Sequence, residues 1–384
     1  MGNLGQLKPK RVLVAHNVER GGRGGMALMM ESMHAALEEF GWQTEYFTAS
    51  DLSADTPPRL RRYGFTWQAR RHARQAYLAG RPYSIVNIHE PAGVALVFGK
   101  AALGNPAIVA MSHGLEQRYW EMRLQSGSSG PEPPSLKERV SFPLLSLWQS
   151  SLTLRRADHV ICSNEVDKQF LVDRLRVEPE KITLLLHPAG EDFARVAPRR
   201  DYTRPCTKIV FSGTWTGRKG IRQLIESFTV LAAKYPQLQL GILGAGLAAD
   251  RVRADFPEPL RARIAVYSSA SHAEAAEILL DYDIFLVPSF FEGGPLTLTE
   301  AMASGMPAIT TSSWMRQLVQ DGENCLLIPP GDAAAIVRAV ERLMQDAGLR
   351  EKMGRQAHAD VTQKYTWRAL AERIDKAYSG LLKL

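Results

Sequence analysis

The 384-residue sequence is poor in cysteine and lacks any long hydrophobic segment. Its three cysteines, Cys162, Cys206 and Cys325, lie far apart, so the paired spacing of a structural zinc site or a disulfide framework is absent. No run of about 18 apolar residues occurs, so no membrane-spanning helix is predicted. These absences favour a protein of the reducing cytoplasm.

Acidic residues are missing from one segment. Seven arginines occur between residues 56 and 81 without any Asp or Glu, and the whole chain carries a net charge of +7. Such charge favours nucleic acid, an anionic membrane or phosphorylated small molecules as partners. Leu60, Tyr63 and Trp67 fall at helical spacing among the arginines, so residues 59–81 are predicted either to contact an anionic membrane or to form a solvated arginine face. The arginines are Arg59, Arg61, Arg62, Arg70, Arg71, Arg74 and Arg81.

The length of the chain predicts two domains, because single hydrophobic cores stop growing at roughly 250 to 300 residues. Short β-branched runs alternate with longer helical patterns, which indicates α/β architecture with parallel sheets. The alternation pauses at residues 194–205, an Arg- and Pro-rich stretch that we interpret as a linker. We therefore predict domains at 1–198 and 199–365, and a Gly/Ser/Pro-rich loop at 126–135 within the first domain.

Ligands of open parallel sheets bind beyond the carboxyl ends of the strands, so motifs at those ends are informative. After a predicted strand at 284–288 come Glu292, Gly293 and Gly294, and a helix is predicted from Pro295 and Leu296 onward. Amides at a glycine turn and helix start, together with the helix dipole, form a site for a diphosphate. Glu300 would lie about two turns into this helix, where it could accept hydrogen bonds from sugar hydroxyls.

This segment resembles a known signature. A strand ending in Pro-Ser, then Glu-Gly-Gly-Pro-Leu and Thr-Glu-Ala-Met-Ala-Ser-Gly-Met-Pro, is similar to the donor site of family 4 glycosyltransferases, also called glycosyl transferases group 1. The resemblance implies the GT-B fold, with two Rossmann-like domains facing a central cleft and a C-terminal helix, 366–384, that returns to the N-terminal domain. It places Glu292 beside the donor sugar and phosphates as a catalytic residue, and Glu300 at the ribose.

A second segment, residues 211–220, reads Phe-Ser-Gly-Thr-Trp-Thr-Gly-Arg-Lys-Gly and resembles the phosphate-binding loop of the family. Lys219 matches the lysine of that loop, but Thr214 stands after Gly213 where the family usually has arginine. Arg218 is the expected substitute. Two cations facing a diphosphate would neutralise the leaving group; the alternative is two solvated side chains at a helix start.

Candidate residues of the first domain follow its predicted strands. The glycines ending in Gly24 and Gly25 resemble a first-domain loop that approaches the donor phosphates, although a flexible turn would use the same glycines. By resemblance His113 contacts the donor sugar and forms part of the active pocket; its alternative is a hydrogen bonder at a strand end. For His89 and Glu90, acceptor contact and a purely structural role are both open.

Asp281 and Asp283 superficially match a metal-binding carboxylate pair. They precede the strand at 284–288 and thus lie at its entering end, opposite the expected ligand. Neither a metal nor another cofactor is predicted.

Together with these residues, the resemblance implies a retaining, metal-independent glycosyltransferase that moves a hexosyl group from a UDP- or GDP-sugar to a glycan, lipid-linked or small-molecule acceptor. By resemblance the setting is cell-envelope polysaccharide or glycolipid biosynthesis, in the cytoplasm or peripherally on the inner face of the membrane. One alternative is a sugar-nucleotide epimerase of the same architecture. A basic nucleic-acid-binding protein is a remote alternative, because no recognition motif accompanies the charge.

Overall fold

The computed structural model describes residues 10–17, 25–53, 61–127, 130–311 and 317–383, and all structural statements below refer to these. The chain divides into two compact units. The first comprises Met1–Glu121, Pro134–Leu186 and Trp367–Leu384, and the second comprises Met122–Pro133 and His187–Thr366.

A parallel six-stranded sheet forms the centre of the first unit. Its strands are β1 (Arg11–His16), β2 (Gln43–Thr48), β3 (Ile85–His89), β4 (Ala107–Met111), β5 (His159–Cys162) and β6 (Ile182–Leu184). Their order across the sheet is β2-β1-β3-β4-β5-β6. Helices cover a parallel sheet on both faces, which explains why most of these strands are almost continuously buried. The helices of this part of the chain are α1 (Gly25–Glu38), α2 (Arg61–Leu78), α3 (Glu116–Gln125), α4 (Leu136–Phe142), α5 (Trp148–Arg156) and α6 (Glu165–Asp173).

A second parallel six-stranded sheet forms the centre of the second unit. Its strands are β7 (Lys208–Ser212), β8 (Gln239–Leu243), β9 (Ile264–Tyr267), β10 (Ile284–Val287), β11 (Ala308–Thr311) and β12 (Leu326–Ile328). Their order is β12-β11-β10-β7-β8-β9. The helices are α7 (Glu191–Val196), α8 (Ile221–Lys234), α9 (Ala249–Ala254), α10 (His272–Leu280), α11 (Leu296–Ala303), α12 (Ala333–Gln345) and α13 (Ala347–Lys364).

Both sheets have a switch point, where the strand order reverses direction. In the first sheet this point lies between β1 and β3, and in the second between β7 and β10. Ligands of such folds bind at the carboxyl ends of the strands that flank the switch point. The predicted fold class, two Rossmann-like α/β domains, is confirmed, and the glycine loop after β7 and the Glu-Gly-Gly turn after β10 both lie at the expected position.

The last helix, α14 (Trp367–Leu382), belongs to the first unit, as the sequence predicts. Its Tyr378 is completely buried, and the Tyr378 hydroxyl accepts a hydrogen bond from Asn87 Nδ2 on β3 at 2.6 Å. Asp375 accepts a hydrogen bond from Trp42 Nε1 at 2.8 Å. The C-terminal helix is therefore part of the core of the first unit.

The stretch at 194–205 differs from the predicted linker, because it is packed onto the second unit. Helix α7 contacts α10 and α11, and Arg200 is buried. The Arg200 guanidinium donates hydrogen bonds to three carbonyl oxygens at the ends of α10 and α11. The acceptors are Leu279 at 3.0 Å, Tyr282 at 2.7 Å and Ser304 at 3.0 Å. An arginine that donates hydrogen bonds to helix-end carbonyls cannot be told from a solvated arginine by sequence alone.

The unit boundaries also differ from those predicted. The second unit begins at His187 rather than at residue 199, and it includes Met122–Pro133, which covers most of the loop predicted for the first domain. A Cβ atom on Gly217 would lie 3.9 Å from Pro131 Cα, so this segment packs on the loop after β7.

Asp283 has a structural role at the entering end of β10. Its carboxylate accepts hydrogen bonds from Arg204 Nε at 2.7 Å and from the backbone amides of Thr207 and Lys208, each at 2.8 Å. This carboxylate joins β10 to the start of β7.

Helix α2 carries the described part of the arginine-rich segment. Phe65 and Ala69 are buried on its inner face, and its outer face carries exposed side chains at helical spacing, namely Trp67, Arg71, Arg74 and Leu78. Arg70 is directed inward, where its guanidinium donates to the carbonyl oxygens of Ala95 and Phe98 at 2.7 and 2.5 Å. Outside the described residues and side chains lie Arg59, Leu60, Arg62 and Tyr63. None of the helices in the described ranges has the length and apolar character needed to cross a bilayer.

Candidate active site

The loops that follow β7 and β10 meet, because these strands are paired neighbours at the switch point. Gly220 has a φ angle of +74°, and a Cβ atom there would lie only 2.1 Å from the carbonyl oxygen of Pro288. Gly213 has a φ angle of +146°, and its Cβ would lie 3.3 Å from Lys219 Cε. Both positions therefore require glycine, which lets the two loops touch and leaves room for the lysine.

The contact between the loops contains a cluster of one carboxylate and two cations. Lys219 Nζ lies 2.5 Å from Glu292 Oε1, and Arg218 Nη1 lies 3.2 Å from Glu292 Oε2. Arg218 also donates to the Phe291 carbonyl oxygen at 2.8 Å. Lys219 and Glu292 are buried, and Arg218 is partly exposed. The structure thus brings together the three residues that the sequence analysis selected from two separate motifs.

The environment keeps Glu292 ionised. Burial acts to raise the pKa of this carboxyl, but the charges of Lys219 and Arg218 outweigh it, and hydrogen bonds from Lys219 and Ser289 act in the same direction. The net result is a pKa below the ordinary glutamate value. Glu292 is therefore a buried carboxylate anion at neutral pH.

Ser289 is a site residue to which the sequence analysis assigns no role. Its hydroxyl donates to Glu292 Oε1 at 2.8 Å, and its carbonyl oxygen accepts from Thr311 Oγ1 at 2.7 Å. Ser289 is completely buried, and its hydroxyl holds the same carboxylate oxygen that Lys219 contacts. The Pro-Ser pair that ends the strand was the available signal for it.

Helix α11 begins directly after this cluster. Gly293 and Gly294 form the turn, Pro295 is the N-terminal capping residue, and Leu296 is the first helical residue. The amides of a first helical turn have no carbonyl partners within the helix, and the helix dipole adds positive potential there. Thr214, which stands in the place of the family's arginine, is exposed in the neighbouring loop. The described backbone therefore offers an anion-binding helix start beside Lys219.

Glu300 lies on α11 and is largely buried. Burial raises the pKa of its carboxyl to about 7, so protonated and ionised forms coexist near neutral pH. His272, the first residue of α10, places Nε2 at 3.7 Å from Glu300 Oε1. No sequence motif identifies His272, because its proximity to Glu300 arises only when the start of α10 comes close to α11 in the folded unit.

In the first unit, the carboxyl ends of β3 and β4 carry paired imidazoles. His89 Nδ1 and His113 Nε2 are 2.8 Å apart, so one ring donates a hydrogen bond to the other. The ring of His16, at the end of β1, lies 5.6 Å from that of His89 between centroids. Gly25 is the first residue of α1, whereas Gly24 lies outside the described residues. The structure therefore brings His89 and His113 together.

Glu90 follows His89 and is directed into the unit rather than outward. Burial raises the pKa of its carboxyl to about 8, although hydrogen bonds with Ser112 and Ser150 act to lower it. The Ser150 hydroxyl donates to Glu90 Oε1, and Gln117 Nε2 donates to Ser150 Oγ at 3.0 Å. These contacts favour the structural alternative for Glu90, because the carboxyl joins the end of β3 to α5.

Within the described ranges, no group of three or more His, Cys, Asp or Glu side chains has the arrangement of a metal site. The candidate site residues of the second unit are two cations, the start of a helix and two buried carboxyls. Those of the first unit are a pair of imidazoles.

Comparison with known families agrees with this geometry. Residues 23–188 match the model of Glycosyltransferase Family 4, and residues 204–360 match the model of Glycosyl transferases group 1. The chain belongs to the family 4 glycosyltransferases. The two matches meet between residues 188 and 204, close to the boundary between the two units.

Individual relatives are distant in sequence but similar along most of their length. A phosphatidyl-myo-inositol mannosyltransferase of Mycobacterium leprae is 25% identical over 312 residues, which are 80% of this chain and 76% of the relative. Among solved structures, the sucrose-phosphate synthase of Thermosynechococcus elongatus is 20% identical, with a TM-score of 0.76 over 97% of this chain and 99% of its own. Anabaena HepE in complex with UDP is 16% identical, with a TM-score of 0.64 over 96% and 100%. The structural matches show that this family member has the GT-B fold.

Proposed function

We propose that this family 4 glycosyltransferase transfers a hexosyl group from a UDP- or GDP-sugar, with retention of anomeric configuration and without a metal ion. The acceptor is a glycan, a lipid-linked molecule or a small molecule, and the setting is cell-envelope polysaccharide or glycolipid biosynthesis. The observation that carries the proposal is the cluster of Lys219, Arg218 and Glu292 beside the start of α11, at the switch point of the second sheet.

The two cations keep hydrogen-bonding capacity for a diphosphate. A lysine ammonium has three donors and an arginine guanidinium has five, so the contacts with Glu292 use only part of them. A diphosphate bound at the start of α11 would meet backbone amides on one side and these cations on the other. Their charge would stabilise the phosphate oxygen that gains negative charge as the glycosidic bond breaks, which is the role that a metal ion has in other transferases.

The two carboxyls have separate roles in this proposal. The ionised Glu292, held by Ser289, stabilises the positive charge that develops on the sugar as it leaves the diphosphate. Glu300 accepts hydrogen bonds from the ribose hydroxyls. In the first unit, His113 binds a hydroxyl of the transferred sugar. The leaving phosphate takes the proton of the acceptor hydroxyl, so the mechanism needs no protein base.

Relatives support the setting at the level of class. The mycobacterial relative is named for transfer to phosphatidyl-myo-inositol, and HepE was crystallised with UDP. We further propose that the outer face of α2, with Arg71 and Arg74 beside Trp67 and Leu78, makes a peripheral contact with an anionic membrane.

The donor site is tested by kinetics of donor hydrolysis and transfer in Lys219→Met and Glu292→Gln. For Lys219→Met we expect a lower kcat/KM for the nucleotide sugar. The decrease should correspond to a loss of about 2 to 4 kcal/mol of transition-state stabilisation, as for other charge-stabilising groups. Glu292→Gln should greatly lower kcat. Wild-type rates in both folded variants would contradict the proposal.

Further measurements test the finer points. The glycosidic bond of the transfer product, determined by NMR, should have the anomeric configuration of the donor. Activity should survive treatment with a chelator, and loss of activity with rescue by Mn²⁺ would contradict metal independence. Complete conversion of the donor sugar in the absence of acceptor would instead indicate an epimerase.

A further inference from the structure

A stripe of exposed apolar side chains runs along the first unit from α4 to α5. Its members are Leu136, Val140, Leu144, Leu145 and Trp148, each between 44% and 83% exposed. Leu136, Val140, Leu144 and Trp148 recur at every fourth residue, through a π-helical turn at Pro143–Leu147 that joins the two helices. Large apolar residues that are scattered singly need no explanation, but a contiguous exposed set marks an interaction surface.

The opposite side of these helices is firmly packed, so the stripe is not a poorly formed core. Phe142 stacks on the buried ring of Trp120 with 5.0 Å between centroids. Ser150 is completely buried and donates to Glu90, and Gln117 donates to both Ser150 and Ser151. The backbone and inner face are therefore fixed, and the stripe faces outward on a rigid support.

The charges around the stripe are basic. Lys137, Arg139, Arg155 and Arg156 are exposed on the same helices. The carboxylate of Glu138 is occupied by the Ser135 amide and hydroxyl, at 2.8 and 2.9 Å, in a helix-capping arrangement. The carboxylate of Asp158 accepts hydrogen bonds from Lys100 Nζ at 2.8 Å. Between residues 136 and 156 four cations stand against the single carboxylate of Glu138, so the helices that carry the apolar side chains have a net positive charge.

We propose that residues 136–148 form the apolar part of a membrane-docking surface, which lies in the interface of an anionic bilayer. Apolar side chains with tryptophan on one face and flanking basic residues are the combination that such a surface requires. The stripe is about 18 Å long and only one helix wide, so it is smaller than the roughly 800 Å² of accessible surface per partner that a stable protein interface buries. A second copy of the chain would also bring like charges together.

This inference deepens the proposed function, on which it rests, by naming a lipid surface as a partner of the first unit. The outer face of α2 and the apolar stripe contribute differently to membrane binding. The outer face of α2 supplies mainly charge through Arg71 and Arg74, and the stripe supplies mainly apolar burial. Stable peripheral attachment generally needs two such signals, because one alone gives weak and reversible binding.

The direct test is flotation of the full-length protein with vesicles of phosphatidylcholine and phosphatidylglycerol. Leu136→Ser/Leu144→Ser should lower the partition coefficient about tenfold or more, since both side chains would leave the acyl boundary. The matched control is Val230→Ser/Leu247→Ser, which removes exposed apolar side chains from the second unit and should leave binding unchanged. Equal binding by wild type and the Leu136/Leu144 variant would overturn the inference.

Trp148 gives a second readout that does not depend on affinity. Its emission should shift to shorter wavelength and be quenched by brominated lipids, and both changes should be clearly smaller in Trp148→Phe, in which Trp67 of α2 still contributes. A wild-type spectrum that stays constant in saturating vesicles would overturn the inference. So would light scattering that shows a dimer which Leu136→Ser/Leu144→Ser dissociates without changing vesicle binding.

Failure of this inference is separable from failure of the proposed function. Calorimetric binding of UDP- and GDP-sugars in vesicle-free solution should be equal in wild type and Leu136→Ser/Leu144→Ser. If the wild type binds vesicles through the stripe but binds no nucleotide sugar, only the proposed function fails. If it binds and hydrolyses nucleotide sugars but the stripe variant floats normally, only the docking surface fails.

Discussion

Replacing Lys219 by methionine should destabilise the second unit as well as impair donor use. The substitution keeps the length of the side chain but removes the charge 2.5 Å from Glu292 Oε1. At an effective dielectric constant of about 20, two charges at this separation attract by roughly 7 kcal/mol, and desolvation cancels much of that. Arg218 remains at 3.2 Å. We expect the unfolding free energy to fall by about 2 to 4 kcal/mol, somewhat less than the roughly 3 to 5 kcal/mol lost when a buried charge has no remaining partner.

The loss should depend on pH in a defined direction. In the wild type the pKa of Glu292 is depressed, so its stabilisation is present above the unfolded pKa and is lost as the pH falls through the folded pKa. Without Lys219, burial pushes the pKa upward, and protonation at low pH relieves the buried charge. Urea unfolding followed by circular dichroism should therefore show a larger difference between wild type and variant at about pH 7 than at about pH 4.5.

Two further variants make the result decisive. Lys234 also lies 2.5 Å from a glutamate, Glu341, but its side chain is exposed, so Lys234→Met should change stability far less. The double variant Lys219→Met/Glu292→Gln should lose less unfolding free energy than the two single variants together. The difference should be at least about 1.5 kcal/mol, because neither charge is then buried alone. Equal losses in Lys219→Met and Lys234→Met would refute the reasoning.

Two predictions concern other positions of the same unit. Gly220→Ala should cost at least about 2 kcal/mol more than Gly244→Ala in urea unfolding, because both glycines have φ near +70° but only Gly220 has the Pro288 oxygen 2.1 Å from a Cβ position; equal costs would contradict the close approach of the two loops. The raised pKa of Glu300, about 7, predicts that this carboxyl alone contributes a fall of roughly 3 kcal/mol in the unfolding free energy as the pH rises from about 4.5 to about 7, since folded Glu300 holds its proton longer than unfolded Glu300. Glu300→Gln should remove this contribution from the pH profile, and a profile equal to that of the wild type would show that the carboxyl is not held in its protonated form.

The strands and the donor loops could be predicted because their signals are local. Continuous β-branched runs identify buried parallel strands, and the glycine turns after residues 212 and 287 carry their phosphate-binding residues within a few positions. The predicted strand at 284–288, for example, is observed as Ile284–Val287. Resemblance to the family then selected Glu292, Lys219 and Glu300 within those loops.

What the sequence could not predict depends on packing between distant segments. Arg200 donates hydrogen bonds to carbonyl oxygens at the ends of α10 and α11, although the Arg- and Pro-rich composition of residues 194–205 suggested a solvated linker. His272 meets Glu300 only after folding. The apolar spacing of residues 136–148 equally suits a core helix, so its exposure becomes visible only when the inner face, with Phe142 on Trp120, is known.

The position of α14 at the end of the chain has a consequence for synthesis on the ribosome. The first unit buries Leu370, Ala371, Ile374 and Tyr378 of α14 almost completely, yet these residues are translated only after the second unit, which ends at Thr366. At roughly 5 to 20 residues per second, translation from residue 187 to residue 366 takes about 10 to 40 s. During that interval the nascent first unit exposes the apolar groove that α14 later fills, so chaperones that bind nascent chains would act on this groove. Deletion of α14 would leave the groove open permanently.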